Sequence, residues 1–242
     1  MSLNYIVDKV YSKFKEKGGT TSFPDSLKTV LTLAKTDSNI NSLKRLAYLL
    51  ATAKIESDYS LQRWEADYLC GSTGVAYNGK PCQRALDYYR SSQGNKLNYY
   101  TLGLDSKGLP YFGRGLIQLT GKSNYETYGK ILGIDLVGNA DLALVPKNSY
   151  KIATSYFKKR GTFDWIDKNN LTEARRTVNS GLRGVNEINA AYMFWLDVFK
   201  ESQVTTANGK LDSKALLVLS LAALALGSAS IILAFTKYGK RK

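Results

Sequence analysis

A mainly α-helical domain followed by one transmembrane helix at the C-terminal end is the architecture this sequence predicts. Three observations carry that prediction. Apolar residues recur at helical spacing through most of the first 200 residues. Serine or asparagine stands at capping positions ahead of several of those runs. Near the end, Ala215 to Phe235 gives 21 residues without a charge, Pro, Asn or Gln.

Taken in order, Ile6, Val10 and Phe14 fall at i, i+4 and i+8. That is an amphipathic helix within Met1 to Gly19, and it lacks the apolar run of a secretory leader. Asn41 or Ser42 can cap a helix whose Leu43, Leu46, Ala47, Leu50 and Ala53 make an apolar stripe; Ser57-Asp58-Tyr59-Ser60 should end it. Leu69 to Leu109, rich in Gly, Asn, Ser and Tyr, reads as loop-heavy. From Arg114 to Thr120 the pattern alternates. Arg114, Leu116, Gln118 and Thr120 would face one way and Ile117 and Leu119 the other, a short extended element between Gly113-Arg114-Gly115 and Gly121. Ser123 with Glu126 has the form of a capping box opening a helix through Leu132, and Asn170 with Glu173 repeats it before Ala174 to Val178. A last amphipathic helix covers Glu187 to Lys200.

Glu201 to Ser213 is polar and reads as a tether. The apolar run at 215–235 would rise roughly 30 Å, the thickness of bilayer hydrocarbon. Lys214 lies before it, and Lys237, Lys240, Arg241 and Lys242 follow. By the positive-inside tendency the short tail would stay cytoplasmic and the large domain would lie across the membrane. The expected organisation is therefore a domain over 1–200, a linker over 201–213, a transmembrane helix over 214–236 and a basic tail over 237–242.

The 242 residues include no histidine, which removes Ser-His-Asp and Cys-His catalysis and His-based zinc sites. Two cysteines, Cys70 and Cys82, are too few for a Cys₄ site. They can form one bridge across a loop or remain two buried thiols. No metal or cofactor is expected. The net charge is +14, of which Lys210 onward supplies +5 (six Lys/Arg against one Asp), leaving +9 in the body (28 against 19). Such a field attracts polyanions of several kinds. The Lys and Arg are spread rather than clustered with aromatics, so specific nucleic-acid binding is not expected.

Acid–base chemistry then falls to carboxylates. Glu56 ends the apolar stripe of AYLLATAKIES, where partial desolvation suits a general acid. Glu65 follows nine residues later beside Trp64. An unbroken helix would turn the two apart; a break at 57–60 lets the chain fold back. An inverting glycosidase holds its carboxyls about 6.5–9.5 Å apart with a water between them, and the spacing allows that.

The block GRGLIQLTGKSNY, Tyr128-Gly129-Lys130 and the later RRTVNSG resemble glycoside hydrolase family 19, the plant-type chitinases and their phage endolysin relatives. Residues of about 43–198 follow the pattern. The resemblance implies a lysozyme-like α+β domain with a short β element, and inverting hydrolysis of β-1,4-linked N-acetylglucosamine-containing glycan. It implies Glu56 as general acid and Glu65 as second carboxylate, at the short interval of the phage type. Gln118, Thr120 and Asn124 match positions that bind sugar or hold the water, and Asn179 matches the family's Asn-Gly-Gly turn. Arg114 and Tyr125, in the same block, are counted among the substrate-binding residues. Ile55 stands where the family usually has histidine, Ser180 interrupts the glycine turn, and Glu187 and Ile188 stand where relatives usually carry arginine.

The expected function is thus a membrane-anchored, virion-associated peptidoglycan hydrolase. Its partners would be peptidoglycan or a chitin-like polysaccharide, a lipid membrane through 215–235, and other virion proteins. Its place would be the virion membrane of a membrane-containing phage or the host inner membrane. A catalytically impaired glycan-binding virion protein and a chitinase-type enzyme are the alternatives.

Overall fold

The computed structural model describes residues 3–65, 105–106, 111–202 and 205–206. Contacts divide the chain into two compact units, residues 1–58 with 157–242, and residues 59–156.

In the first unit, helix α1 (Val7–Glu16) is followed by α2 (Pro24–Ala34), which opens on a proline, and α3 (Leu43–Ser57). Ser42 caps α3 by accepting from Arg45 N–H at 3.3 Å, so of the two expected caps it is the serine that serves. The α3 run LKRLAYLLATAKIES is buried from Leu43 to Lys54 apart from Arg45, the stems of Lys44 and Lys54 included. In α1, Val10 and Phe14 are buried as the spacing requires, but Ile6 is 68% exposed because it is the N-cap and not part of the helix. The helix α8 (Val185–Glu201) supplies Ile188, Tyr192, Trp195 and Phe199 to the same core. Phe14 stacks on Trp195 with centroids 5.0 Å apart, and Lys17 bridges Asp197 and Glu201 at 2.6 and 2.5 Å on the outer side. Two short helices, α6 (Thr162–Asp167) and α7 (Leu171–Val178), pack together through Thr162 and Thr177 at 2.6 Å. Arg45 reaches α6 at Asp167, 2.5 Å, and lies over the Phe163 ring. Asn170 caps α7 by accepting from Glu173 N–H at 3.0 Å; the Glu173 carboxyl pairs with Arg176 instead of completing the box. Strands β1 (Leu3–Asn4) and β2 (Thr205–Thr206) pair antiparallel, Leu3 opposite Thr206.

The second unit contains α4 (Lys122–Leu132), a short 3-10 turn at Ala140–Leu144, and most of α5 (Pro146–Lys159). Helix α4 starts one residue ahead of Ser123, with Gly121 at φ 87° as its N-cap and no side-chain cap bond. The expected Ser123–Glu126 box therefore does not form: a glycine in the left-handed region makes the turn, and Ser123 lies exposed inside the helix. The rings of Tyr128 and Tyr156 lie 5.4 Å apart.

The expected C-terminal transmembrane helix and single-pass membrane localisation are corrected here. Among the described residues no helix is long and apolar enough to cross a membrane. Even α8, at 17 residues, rises only about 26 Å and carries Glu187, Asp197, Lys200 and Glu201. The run at 215–235 and the tail at 237–242 lie outside the described residues, as do Leu69 to Leu104 and the cysteines Cys70 and Cys82. Of the expected tether, Glu201 is helical and Thr205–Thr206 are strand.

Phe14 is fully buried against aromatic partners on α8, so Phe14→Ala should cost about 3–5 kcal/mol in equilibrium urea unfolding. A loss under 1 kcal/mol would contradict this packing.

Candidate active site

Glu56 sits in the last turn of α3, in the first unit. Its Oε1 accepts from Arg175 Nη1 at 2.9 Å, and a quarter of its side chain stays exposed, so the carboxyl is held yet reachable. Arg175 comes from α7 and is buried. Its Nε and Nη2 both donate to the carbonyl of Arg183, at 2.9 and 2.6 Å. One guanidinium thus ties the end of α3 to the loop 179–184. That loop is built of successive turns, Leu182 N–H to Asn179 carbonyl and Val185 N–H to Leu182 carbonyl, with Leu182 at φ 55° and Gly184 at φ 74°. Asn179 caps the C-terminal end of α7, and its Oδ1 accepts from Gly181 N–H at 3.1 Å. Desolvation pushes the buried Tyr48 phenol well above its usual range, which the Arg175 charge only partly opposes, so Tyr48 adds no charge on this side.

Glu65 lies in the second unit, on a segment paired with the glycine-rich block. Trp64 bridges Arg114, and Arg114 in turn bridges Leu119, both antiparallel. Glu65 N–H donates to the Gly113 carbonyl at 2.7 Å, while Glu65 Oε2 accepts from Gly113 N–H at 3.1 Å. Backbone and carboxylate of one residue are therefore seated on a single glycine. A Cβ on Gly113 would stand 3.0 Å from Gln118 Oε1 and 3.1 Å from Thr120 Oγ1, so these two polar groups face the same spot.

The block 114–119 is a tight hairpin and not the alternating strand the sequence suggested. Arg114 and Leu119 exchange N–H···O bonds of 3.2 and 2.9 Å, and Gln118 N–H closes the turn on Gly115 carbonyl. Gly115 (φ 74°) and Gln118 (φ 54°) reverse the chain, so Leu116, Ile117 and Leu119 are all buried. The period of two fails because a turn occupies its centre. Gln118 Nε2 donates to the carbonyls of Arg63 and Gly115, Thr120 Oγ1 to the Gln118 carbonyl, and Asn124 Nδ2 to the Thr120 carbonyl at 2.6 Å.

Arg114 and Tyr125 lie beneath this surface, 1% and 0% exposed. Arg114 pairs with Asp141 at 2.9 Å, donates to the Phe112 carbonyl and the Tyr125 hydroxyl, and lies 4.0 Å from the Phe112 ring centre. Burial pushes the Tyr125 phenol up to about 12, and its hydroxyl donates to the Phe112 carbonyl. The pair supports the hairpin from inside and presents nothing to a ligand.

The second unit thus brings Glu65, Gln118, Thr120 and Asn124 together over Arg114 and Tyr125. The first holds Glu56, with Asn179 on the loop that Arg175 clamps. Arg175 was missed by sequence reasoning. Its signal is a charge lying in the apolar stripe Leu171–Ala174–Arg175–Val178, while its neighbour Arg176 is exposed. Among the described residues no cluster of three or more carboxylates or thiols could hold a metal ion.

The family model for glycoside hydrolase family 19, chitinase class I, matches residues 69–162. A glycosyl hydrolase family 19 domain-containing protein of Haemophilus influenzae is 39% identical over 123 residues, covering 48% of this chain and 53% of its own length. Rice Chitinase 8 is 70% identical over 33 residues, 14% of this chain and 13% of the relative. The chain spans about half the length, or less, of these curated relatives. Chitinase C from Streptomyces griseus HUT6037 is a structural neighbour at TM-score 0.48 and 20% identity, over 86% of this chain and 97% of that one. The sequence matches bear out the resemblance to family 19 over these residues.

Gly115 takes a left-handed φ, and a Cβ there would lie 2.6 Å from Ser149 Oγ and 2.9 Å from the Ala143 carbonyl. Gly115→Ala should therefore cost about 3 kcal/mol and spoil the hairpin. Denaturant midpoint shifts measure it, and a stable variant would refute the close approach.

Proposed function

We propose that this protein hydrolyses β-1,4 bonds of bacterial cell-wall glycan with inversion, Glu56 acting as general acid and Glu65 as general base. The observation that carries the proposal is the seating of Glu65. Its carboxylate, half-buried and oriented by Gly113 N–H, belongs to a surface where Gln118 and Thr120 offer neutral polar groups. Such a surface can orient a water without adding a competing charge. Arg175 is a positioning residue, since it fixes one oxygen of Glu56 and leaves the carboxyl partly open to solvent.

In the proposed step Glu56 gives its proton to the glycosidic oxygen as the C1–O bond breaks. Water attacks C1 from the opposite face and passes a proton to Glu65, so the new reducing end has the inverted configuration. Peptidoglycan is favoured over neutral chitin by the +9 charge of the body, which suits an acidic polymer. The nine-residue interval between Glu56 and Glu65 favours a phage-type wall-cutting enzyme, acting in lysis or carried on the virion, over a plant-type chitinase.

Glu56→Gln and Glu65→Gln should each lower reducing-end release from purified peptidoglycan by about 10²–10⁴-fold with little change in unfolding midpoint. Retention of activity in Glu56→Gln would sink the assignment. Proton NMR of the first product from soluble glycan should show the α-anomer ahead of mutarotation, and an initial β-anomer would exclude inversion.

A further inference from the structure

The clamp that holds Glu56 also fixes where the next cation stands. Arg175 donates both Nε and Nη2 to the backbone carbonyl of Arg183, so the Arg183 side chain takes no part in the clamp. Its carbonyl is two hydrogen bonds from the Glu56 carboxyl, by way of Arg175. The same loop rests on the end of α3: a Cβ on Gly184 would lie 3.6 Å from Ile55 Cγ2 and 3.9 Å from Arg175 Nη2. Arg183 itself is exposed, and no salt bridge joins it to a carboxylate among the described residues. Glu187, in the first turn of α8, has its Oε2 3.9 Å from the same Gly184 Cβ position and is the acidic group closest along the loop. The turns at Leu182 and Gly184 hold this residue in place at a backbone cost, since Leu182 adopts a left-handed φ without being glycine.

We propose that Arg183 is a specificity-determining residue that reads a carboxylate carried on the glycan beside the bond to be cut. It would favour acidic wall glycan, bearing lactyl or stem-peptide carboxylates, over a neutral polymer of N-acetylglucosamine. The physical case is that a neutral sugar gives an exposed guanidinium little to recognise, whereas a carboxylate accepts two parallel N–H···O bonds from it. An arginine anchored by its own backbone next to the acid supplies that contact locally, where the overall positive field only raises encounter. The proposal rests on the hydrolase reading above and assigns its preference for an acidic glycan to one residue.

The test compares kcat/KM on two forms of one soluble wall glycan, with carboxylates free and after carbodiimide amidation. The wild type should prefer the free form. R183A should reduce that preference about threefold and R183E about tenfold, as expected for an exposed ion pair removed or reversed, and R183K should keep most of it. K9E, which changes the net charge as R183E does from the exposed face of α1, should leave the ratio in place. Co-sedimentation with the same two glycans gives the ratio for binding alone, so Arg183 is judged even if the wild type releases no reducing ends and the hydrolase reading falls. A ratio untouched by R183E, or lowered as far by K9E, overturns the proposal.

Discussion

Helix α3 is buried along nearly its whole length, and it must stop where a carboxylate can meet solvent. The stop comes from Asp58 and Tyr59, two consecutive non-glycine residues in the left-handed region (φ 52° and 68°). Each such residue costs roughly 1–2 kcal/mol. A small network offsets that cost. Lys54 Nζ pairs with Asp58 Oδ1 at 2.6 Å, Ser22 N–H donates to Oδ2 at 2.8 Å, and Thr21 Oγ1 donates to the Asp58 carbonyl at 3.0 Å. Lys54 is itself anchored on the Thr20 carbonyl. The loop 20–22 thus decides where α3 ends, and so that Glu56 stands in a final turn and not in the middle of a buried helix.

Each unit then depends on one buried guanidinium that holds main chain as well as a carboxylate. Arg175 takes the Arg183 carbonyl and Glu56; Arg114 takes the Phe112 carbonyl and Asp141. The planar fork of arginine suits both places because its donors diverge, which a lysine ammonium at the end of a flexible stem would not reproduce. The two arginines differ in what they serve. Arg114 is sealed under the hairpin, whereas Arg175 reaches to a carboxyl that remains partly in solvent.

Much of this was legible in the chain. The apolar stripe of α3, its cap at Ser42, its break after Ser57 and the cap at Asn170 follow from local pattern, and the structure has them. The hairpin at 114–119 was not legible as such, because alternation in six residues looks alike whether the chain runs straight or turns; only the φ values of Gly115 and Gln118 decide it. Ser123 misled for a related reason, since a serine three residues ahead of a glutamate also occurs inside a helix that glycine has already started. The burial of Arg114 and Tyr125 depends on Asp141, more than a dozen residues away, and no local pattern could indicate it. The membrane helix was read from hydropathy, length and flanking charge, and it falls on residues outside those described; among the described residues no helix is long and apolar enough to span a membrane.

The pairing of Leu3–Asn4 with Thr205–Thr206 gives the first unit an unusual connectivity. Its two chain segments, before residue 59 and after residue 156, are stitched together where Leu3–Asn4 meets Thr205–Thr206, and residues 59–156 leave and rejoin it as an insert. The path from Leu3 to Thr206 thus closes on one strand pair. The chain entering at Leu3 and the chain leaving at Thr206 therefore pass the same edge of the unit, so a substitution that loosens one strand releases both segments there.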